Sequence, residues 1–104
     1  MQDKCLLVLS TAPVDVAQEL GRCLVENRLA ACVNIVDNVS SCYFWQGKLN
    51  CEEEHLMLIK TTAQVLPKLE QYIKANHPYK IPEFLIIEVS GSVDYMNWLE
   101  RQVD

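Results

Sequence analysis

The first quarter of the chain changes from a strand-like to a helix-like pattern of hydrophobic positions. Residues 5–9 form an uninterrupted apolar run that is too short for a helix and predicts a strand covered on both faces. Apolar residues then recur at helical spacing from Val16 to about Arg28. Asp15 and Gln18 have the spacing of a capping box. An amphipathic helix is therefore predicted after the first strand.

The middle of the chain predicts a long β-hairpin. Residues 30–45 are β-like apart from a polar interruption at 37–38, and residues 48–61 form the return strand. Gln46 and Gly47 lie between them, and glycine in the second position of a two-residue loop is typical of a tight hairpin. At ~3.3 Å per residue each arm reaches about 45 Å, more than twice the common strand length. We expect this ribbon to extend beyond a small body.

The last third predicts a helix, a strand and a short final helix. Thr62 is the predicted cap of the second helix, and Pro67 lies in its first turns. This helix ends before His77, because the residue before a proline disfavours the helical region. Residues 84–89 predict a fourth strand, mostly buried, and residues 93–102 predict the final helix.

The order of these elements predicts the fold class. Two crossovers and one hairpin lead to an α+β, ferredoxin-like βαββαβ sandwich with a long β-hairpin and a short C-terminal helix. The 104 residues predict a single domain over 1–104. A bare ribbon is marginal in water, and its tip carries Tyr43, Phe44 and Trp45. We therefore expect the ribbon to pack on another subunit.

Composition narrows the choice of partners and compartment. The formal charge of −5 argues against nucleic acid, because the attraction of a basic surface to phosphates is absent. The apolar runs are of strand length, which predicts neither a signal peptide nor a membrane span. The five cysteines, without a C-x-x-C pair, fit neither a zinc ribbon nor a disulfide framework. We expect reduced thiols, mostly acting as small hydrophobic residues, and a cytoplasmic protein.

No catalytic residue is predicted. Acyl phosphate hydrolysis on this fold needs backbone amides and an arginine at the loop after the first strand, and residues 10–13 provide no arginine and no glycine. Cys32 lies in an apolar strand, where a buried thiol has a raised pKa and is inert.

Two local patterns are candidates for metal binding. Alternation along a strand places Cys51, Glu53 and His55 on one face, and their ligand types suit zinc or copper. The alternative is that this acidic run is a solvated surface. His77 is the second candidate, and its alternative role is that of a helix-end histidine facing the last carbonyl groups.

Six segments of the chain, in order, carry a resemblance to a known family. They are LSTAP at 9–13, LVE at 24–26 with LAACVN at 29–34, YFWQGK at 43–48, IKTT at 59–62, HPYKIPE at 77–83 and YMNW at 95–98. These segments are similar to those of the CutA divalent-cation tolerance proteins. The resemblance implies a homotrimer with intersubunit hairpin pairing and a link to tolerance of copper or another divalent metal. The family also resembles the PII signalling proteins in its trimer architecture. The alternative is therefore a signalling or partner-binding trimer without a metal role.

The resemblance also implies a site. A proposed metal site of bacterial members carries over to His77, whereas Ser10 and Asn76 stand where that site has a cysteine and a second histidine. We therefore expect weak binding of copper or another divalent metal at His77. Four further matching residues are expected to line an intersubunit cleft that binds metal or a small ligand: Trp45, Lys60, Tyr79 and Glu83.

Overall fold

The computed structural model describes residues 4–103 as three helices on a four-stranded antiparallel sheet. The elements are β1 Cys5–Ala12, α1 Ala17–Glu26, β2 Cys32–Trp45, β3 Lys48–Thr62, α2 Leu66–Asn76, β4 Leu85–Glu88 and α3 Val93–Gln102. The strand order is β2-β3-β1-β4, with every neighbouring pair antiparallel. The predicted ferredoxin-like α+β fold is confirmed. Among the helices in the described part of the chain, none has the length and hydrophobicity needed to cross a membrane.

The long hairpin is also confirmed, and its turn has the chemistry expected. Gln46 and Gly47 have φ angles of 51° and 79°, and positive φ at both central residues is the property of a type I′ turn. The predicted polar interruption is a break in register between Val36 and Val39, with Asn38 at φ 60°. The molecule measures 47 × 25 × 21 Å, because the β2–β3 ribbon extends past the helices.

The main core lies between α1, α2 and one face of the sheet. Its buried side chains come from alternate positions of β1 and β3 and from one side of each helix: Val8, Ala12, Ala17, Leu20, Leu24, Met57, Ile59, Leu69 and Ile73. Gly21 lets α1 approach β2 closely, because a Cβ at this position would lie 3.2 Å from Val33 Cγ1. A smaller cluster of Cys5, Ala31 and Leu99 holds α3 against the sheet.

Three local predictions are wrong. Strand β4 is exposed in the chain because it is the edge strand and pairs with β1 alone. The side chain of Asp15 does not cap α1; the N–H groups of Val16 and Ala17 donate to the Pro13 carbonyl, at 2.9 and 3.1 Å. Thr62 is the buried last residue of β3, and α2 begins only after Val65.

Candidate functional site

A cavity of about 670 Å³ lies between the β2–β3 ribbon and the loop that follows α2. Alternation along the two strands places Ser41, Tyr43, Glu52 and Glu54 on the face away from α1 and α2. The loop residues complete the wall from the other side, and the lining is Thr11, Ser41, Cys42, Tyr43, Trp45, Glu52, Glu54, Tyr79, Lys80, Ile81 and Glu83. The cavity is therefore built from segments far apart in sequence.

Hydrogen bonds to β1 hold the loop in place. The His77 ring is buried, with 7% of its surface exposed. The Tyr79 backbone N–H donates to His77 Nδ1 at 3.0 Å, so Nε2 carries the proton and donates to the Thr11 carbonyl at 2.7 Å. The Ser10 hydroxyl donates to the Glu83 carbonyl at 2.7 Å. These bonds make His77 and Ser10 the supports of the loop.

Two tyrosines bind two of the carboxylates. Tyr79 Oη donates to Glu54 Oε2 at 2.6 Å, and Glu54 is only 4% exposed. Burial, together with this bond to a carboxylate, raises the pKa of Tyr79. Tyr43 Oη donates to Glu52 Oε1 at 2.6 Å, which raises the pKa of Tyr43 to about 12. Both phenols therefore stay protonated at neutral pH and act as donors.

The third carboxyl group of the cavity is that of Glu83, and its surroundings disfavour its negative charge. Glu83 is an exposed residue whose carboxyl group is only partly shielded from water; this partial burial raises its pKa, and the negative charge of Glu54 adds to the effect. Lys80 is the one cationic side chain among the residues that line the cavity. An arrangement with three carboxylates and one ammonium group favours a cationic or hydrogen-bond-donating ligand.

The structure brings three of the predicted cleft residues together and separates the fourth. Trp45, Tyr79 and Glu83 all line the cavity. Lys60 lies elsewhere, with Nζ 3.2 Å from Tyr95 Oη and 5.5 Å from the centre of that ring. His77 does not line the cavity; it lies behind the loop and both ring nitrogens are engaged.

Sequence reasoning missed the residues that make the cavity acidic. Glu52 and Glu54 line the cavity, whereas the predicted metal-binding face of the same run is that of Cys51, Glu53 and His55. The same alternation, applied to even-numbered positions, identifies them. Within residues 4–103, no group of three or more His, Cys, Asp or Glu side chains lies close enough to hold a metal ion.

Comparison with known proteins identifies the family. The sequence model of the CutA1 divalent ion tolerance protein matches residues 6–102. The chain belongs to the CutA1 family. The divalent-cation tolerance protein CutA of Thermus thermophilus is 45% identical over 97 residues, covering 91% of this chain and 94% of its own.

Solved CutA structures share the fold closely. CutA1 from Oryza sativa matches with a TM-score of 0.95 at 33% identity, covering 99% of this chain and 96% of that one. The PII-like protein CutA from Nostoc sp. PCC 7120, in apo form, matches with a TM-score of 0.90 at 31% identity, covering 95% and 97%. The name of the Thermus thermophilus protein refers to divalent cations, and that of the Nostoc protein refers to PII proteins.

Proposed function

We propose that this protein is a cytoplasmic homotrimer of the divalent-cation response that binds a divalent cation, such as copper, weakly in the acidic cavity. It acts as a binding protein and not as an enzyme. The observation that carries this proposal is the pair of Glu54 and Glu83, whose carboxyl groups face one cavity and repel each other. A bound cation relieves that repulsion.

The cavity of one chain is an incomplete metal site. Carboxylate oxygens bind divalent cations well, but the described residues assemble no set of three ligands. Water, or a side chain from a neighbouring subunit, has to complete the coordination. This incompleteness is the reason that we expect weak binding.

His77 has a different place in this proposal from the one that the family pattern implies. A metal at His77 would have to displace the Tyr79 N–H from Nδ1 or remove the proton from Nε2. Either change breaks a hydrogen bond inside a buried site. We therefore place the cation at the carboxylates and give His77 the role of positioning the loop.

Assembly follows from the exposed apolar surface. Phe44 is 74% exposed and Trp45 is 41% exposed at the tip of the ribbon, and β4 exposes Leu85, Ile86 and Ile87. Exposed apolar groups of this size at both ends of the sheet are typical of surfaces that pack on another subunit. A second copy of the chain is the partner that we propose.

Calorimetric titration with copper(II) and zinc at neutral pH tests the cation site. We expect weak binding in the wild type and a clear loss of affinity in Glu83→Gln and Glu54→Gln. Glu53→Gln is the matched control, because Glu53 is an exposed residue of the same acidic run on the opposite face of the ribbon. Equal affinity in all four proteins would reject the site.

A small-molecule ligand is the second candidate, and the size of the cavity favours it. About 670 Å³ exceeds what one ion needs and falls within the range of ligand pockets. Tyr43, Trp45 and Tyr79 provide aromatic walls. Such a ligand would make the protein a PII-like signalling or partner-binding trimer. Native mass spectrometry of protein purified under mild conditions tests this, with a bound molecule of defined mass as the expected result.

A further inference from the structure

The β2–β3 ribbon carries two thiols that face each other. Cys42 and Cys51 are partners in the register of the hairpin, and directly opposed residues of antiparallel strands have Cα atoms about 4.5–5.5 Å apart. Opposed side chains also lie on the same face of the ribbon. The pKa of the Cys51 thiol is raised, mainly by its interaction with the Cys42 thiol, which agrees with their opposed positions in the register.

Both thiols are exposed in the single chain, and they are separate from the acidic site. Cys42 and Cys51 are exposed and free. Cys42 borders the cavity through its place between Ser41 and Tyr43. Alternation along the strand nevertheless points its side chain to the face opposite to those of Ser41 and Tyr43. The pair therefore needs neither Glu54 nor Glu83 to function.

Two thiolate ligands favour a different metal ion from the one that four ligands favour. Structural zinc sites have four protein ligands, whereas no third His, Cys, Asp or Glu side chain within residues 4–103 completes a group here. Thiolates are soft ligands that select copper(I), an ion that accepts two of them. We propose that Cys42 and Cys51 form a two-thiolate binding site for a soft monovalent metal ion, with copper(I) as its biological example.

The chemistry of binding is balanced without any redox step. Each thiol loses its proton to solvent, and each sulfur forms one bond to the metal. The copper enters as copper(I) and stays copper(I). Because the strands already hold the two residues opposite each other, little rearrangement is needed when the ion binds.

The test is an anaerobic titration of the reduced protein with copper(I), supplied as its complex with bicinchoninate. We expect the wild type to remove one copper(I) per chain from this competitor. Cys42→Ser and Cys51→Ser should each lose that copper while keeping their circular dichroism spectrum, since both positions are exposed. Cys32→Ser is the matched control and should bind as the wild type does, because Cys32 lies elsewhere on β2, opposite Lys60.

Three results would overturn the proposal. The first is full copper(I) binding by the double variant Cys42→Ser/Cys51→Ser. The second is no copper removed by wild type whose thiols are shown to be reduced, and the third is a Cys42–Cys51 disulfide that persists under mild reductant. Glu83→Gln separates this site from the proposed cation site: it should lower divalent-cation affinity and leave copper(I) binding unchanged.

Discussion

At the scale of single residues, the carboxyl groups of the cavity have different surroundings. Glu54 is buried and accepts a hydrogen bond from the Tyr79 hydroxyl. The Glu83 carboxyl group is instead repelled by the negative charge of Glu54. Ser10 donates a hydrogen bond to the backbone carbonyl of Glu83, and His77 accepts one from the backbone N–H of Tyr79. The loop backbone is thus fixed while the Glu83 carboxyl remains available to a ligand.

The raised pKa of Glu83 predicts a pH dependence of stability. The folded state binds a proton at Glu83 more tightly than the unfolded chain, whose ordinary value is 4.5. The stabilisation from this group is complete below pH 4.5 and is lost as the pH rises through the raised pKa. We expect Glu83→Gln to be more stable than the wild type near pH 7 and to match it below about pH 4.5. Urea unfolding across this pH range at one protein concentration measures the difference, and Glu53→Gln should show no such trend.

Replacement of His77 by alanine should destabilise the protein. Removing the ring leaves the Tyr79 N–H and the Thr11 carbonyl without their partners, at a cost of about 1–3 kcal/mol for a buried unsatisfied group. Urea unfolding measures the change. Asn76→Ala is the control, because Asn76 is an exposed neighbour whose amide donates to the Tyr72 carbonyl within the same helix.

The His77 experiment also separates two roles for this residue. A positioning role predicts lower stability together with weaker binding in the cavity. Unchanged unfolding combined with complete loss of divalent-cation binding would instead show that His77 is a ligand, as the family pattern implies.

At the scale of elements, short-range chemistry determines the turns better than the helix ends. The two-residue turn at Gln46 and Gly47 forms as predicted, since positive φ is required there and glycine provides it. The helix starts differ from the prediction, because the backbone carbonyl of Pro13 replaces the Asp15 side chain at α1. The first N–H groups of α1 therefore bond to a backbone carbonyl in the preceding turn and not to a capping side chain.

The hairpin turn gives a prediction about its glycine. Among the described residues other than Gly47 and its two chain neighbours, no heavy atom lies within 4 Å of a Cβ built at this position, so space does not oppose Gly47→Ala. The cost is that of left-handed backbone for a non-glycine residue, about 1–2 kcal/mol. We expect a lower urea midpoint for Gly47→Ala. Gln46→Asn should move the midpoint in the opposite direction, because asparagine enters this region more readily; a lower midpoint would contradict the type I′ assignment.

At the scale of the whole molecule, exposed apolar surface is the main feature that one chain leaves unexplained. The ribbon makes the molecule 47 Å long, and Phe44, Trp45 and Leu49 lie exposed near its end. The edge strand β4 is exposed as well. The ribbon and β4 lie at opposite edges of the sheet. The ribbon of one copy can therefore pack on the exposed β4 strand of the next.

Trp45→Glu should therefore disrupt the proposed trimer. Placing a charge in an apolar interface costs several kcal/mol, because the charge loses its water without gaining a partner. We expect light scattering to report a trimer for the wild type at micromolar concentration and smaller species for the variant. Val14→Glu, at an exposed apolar position in the β1–α1 connection, should remain a trimer. A monomeric wild type would contradict the proposed assembly.

The sequence by itself determined the elements and their order, because these depend on interactions between residues close along the chain. Alternating and helical periods identified the four strands and three helices, and Gly47 identified the hairpin turn. The family segments added three residues of the cavity wall, Trp45, Tyr79 and Glu83.

Only the tertiary structure decided which side chains meet across the fold. Tyr79 and Glu54 are 25 residues apart, His77 and Thr11 are 66 apart, and no local pattern encodes such contacts. Lys60 belongs to the family pattern, yet the packing of α3 places it beside Tyr95. Within one chain β4 is exposed although its composition is that of a buried strand, because the order of strands makes it an edge. Periodicity reports the environment that a residue suits, whereas contact partners depend on how the elements pack together.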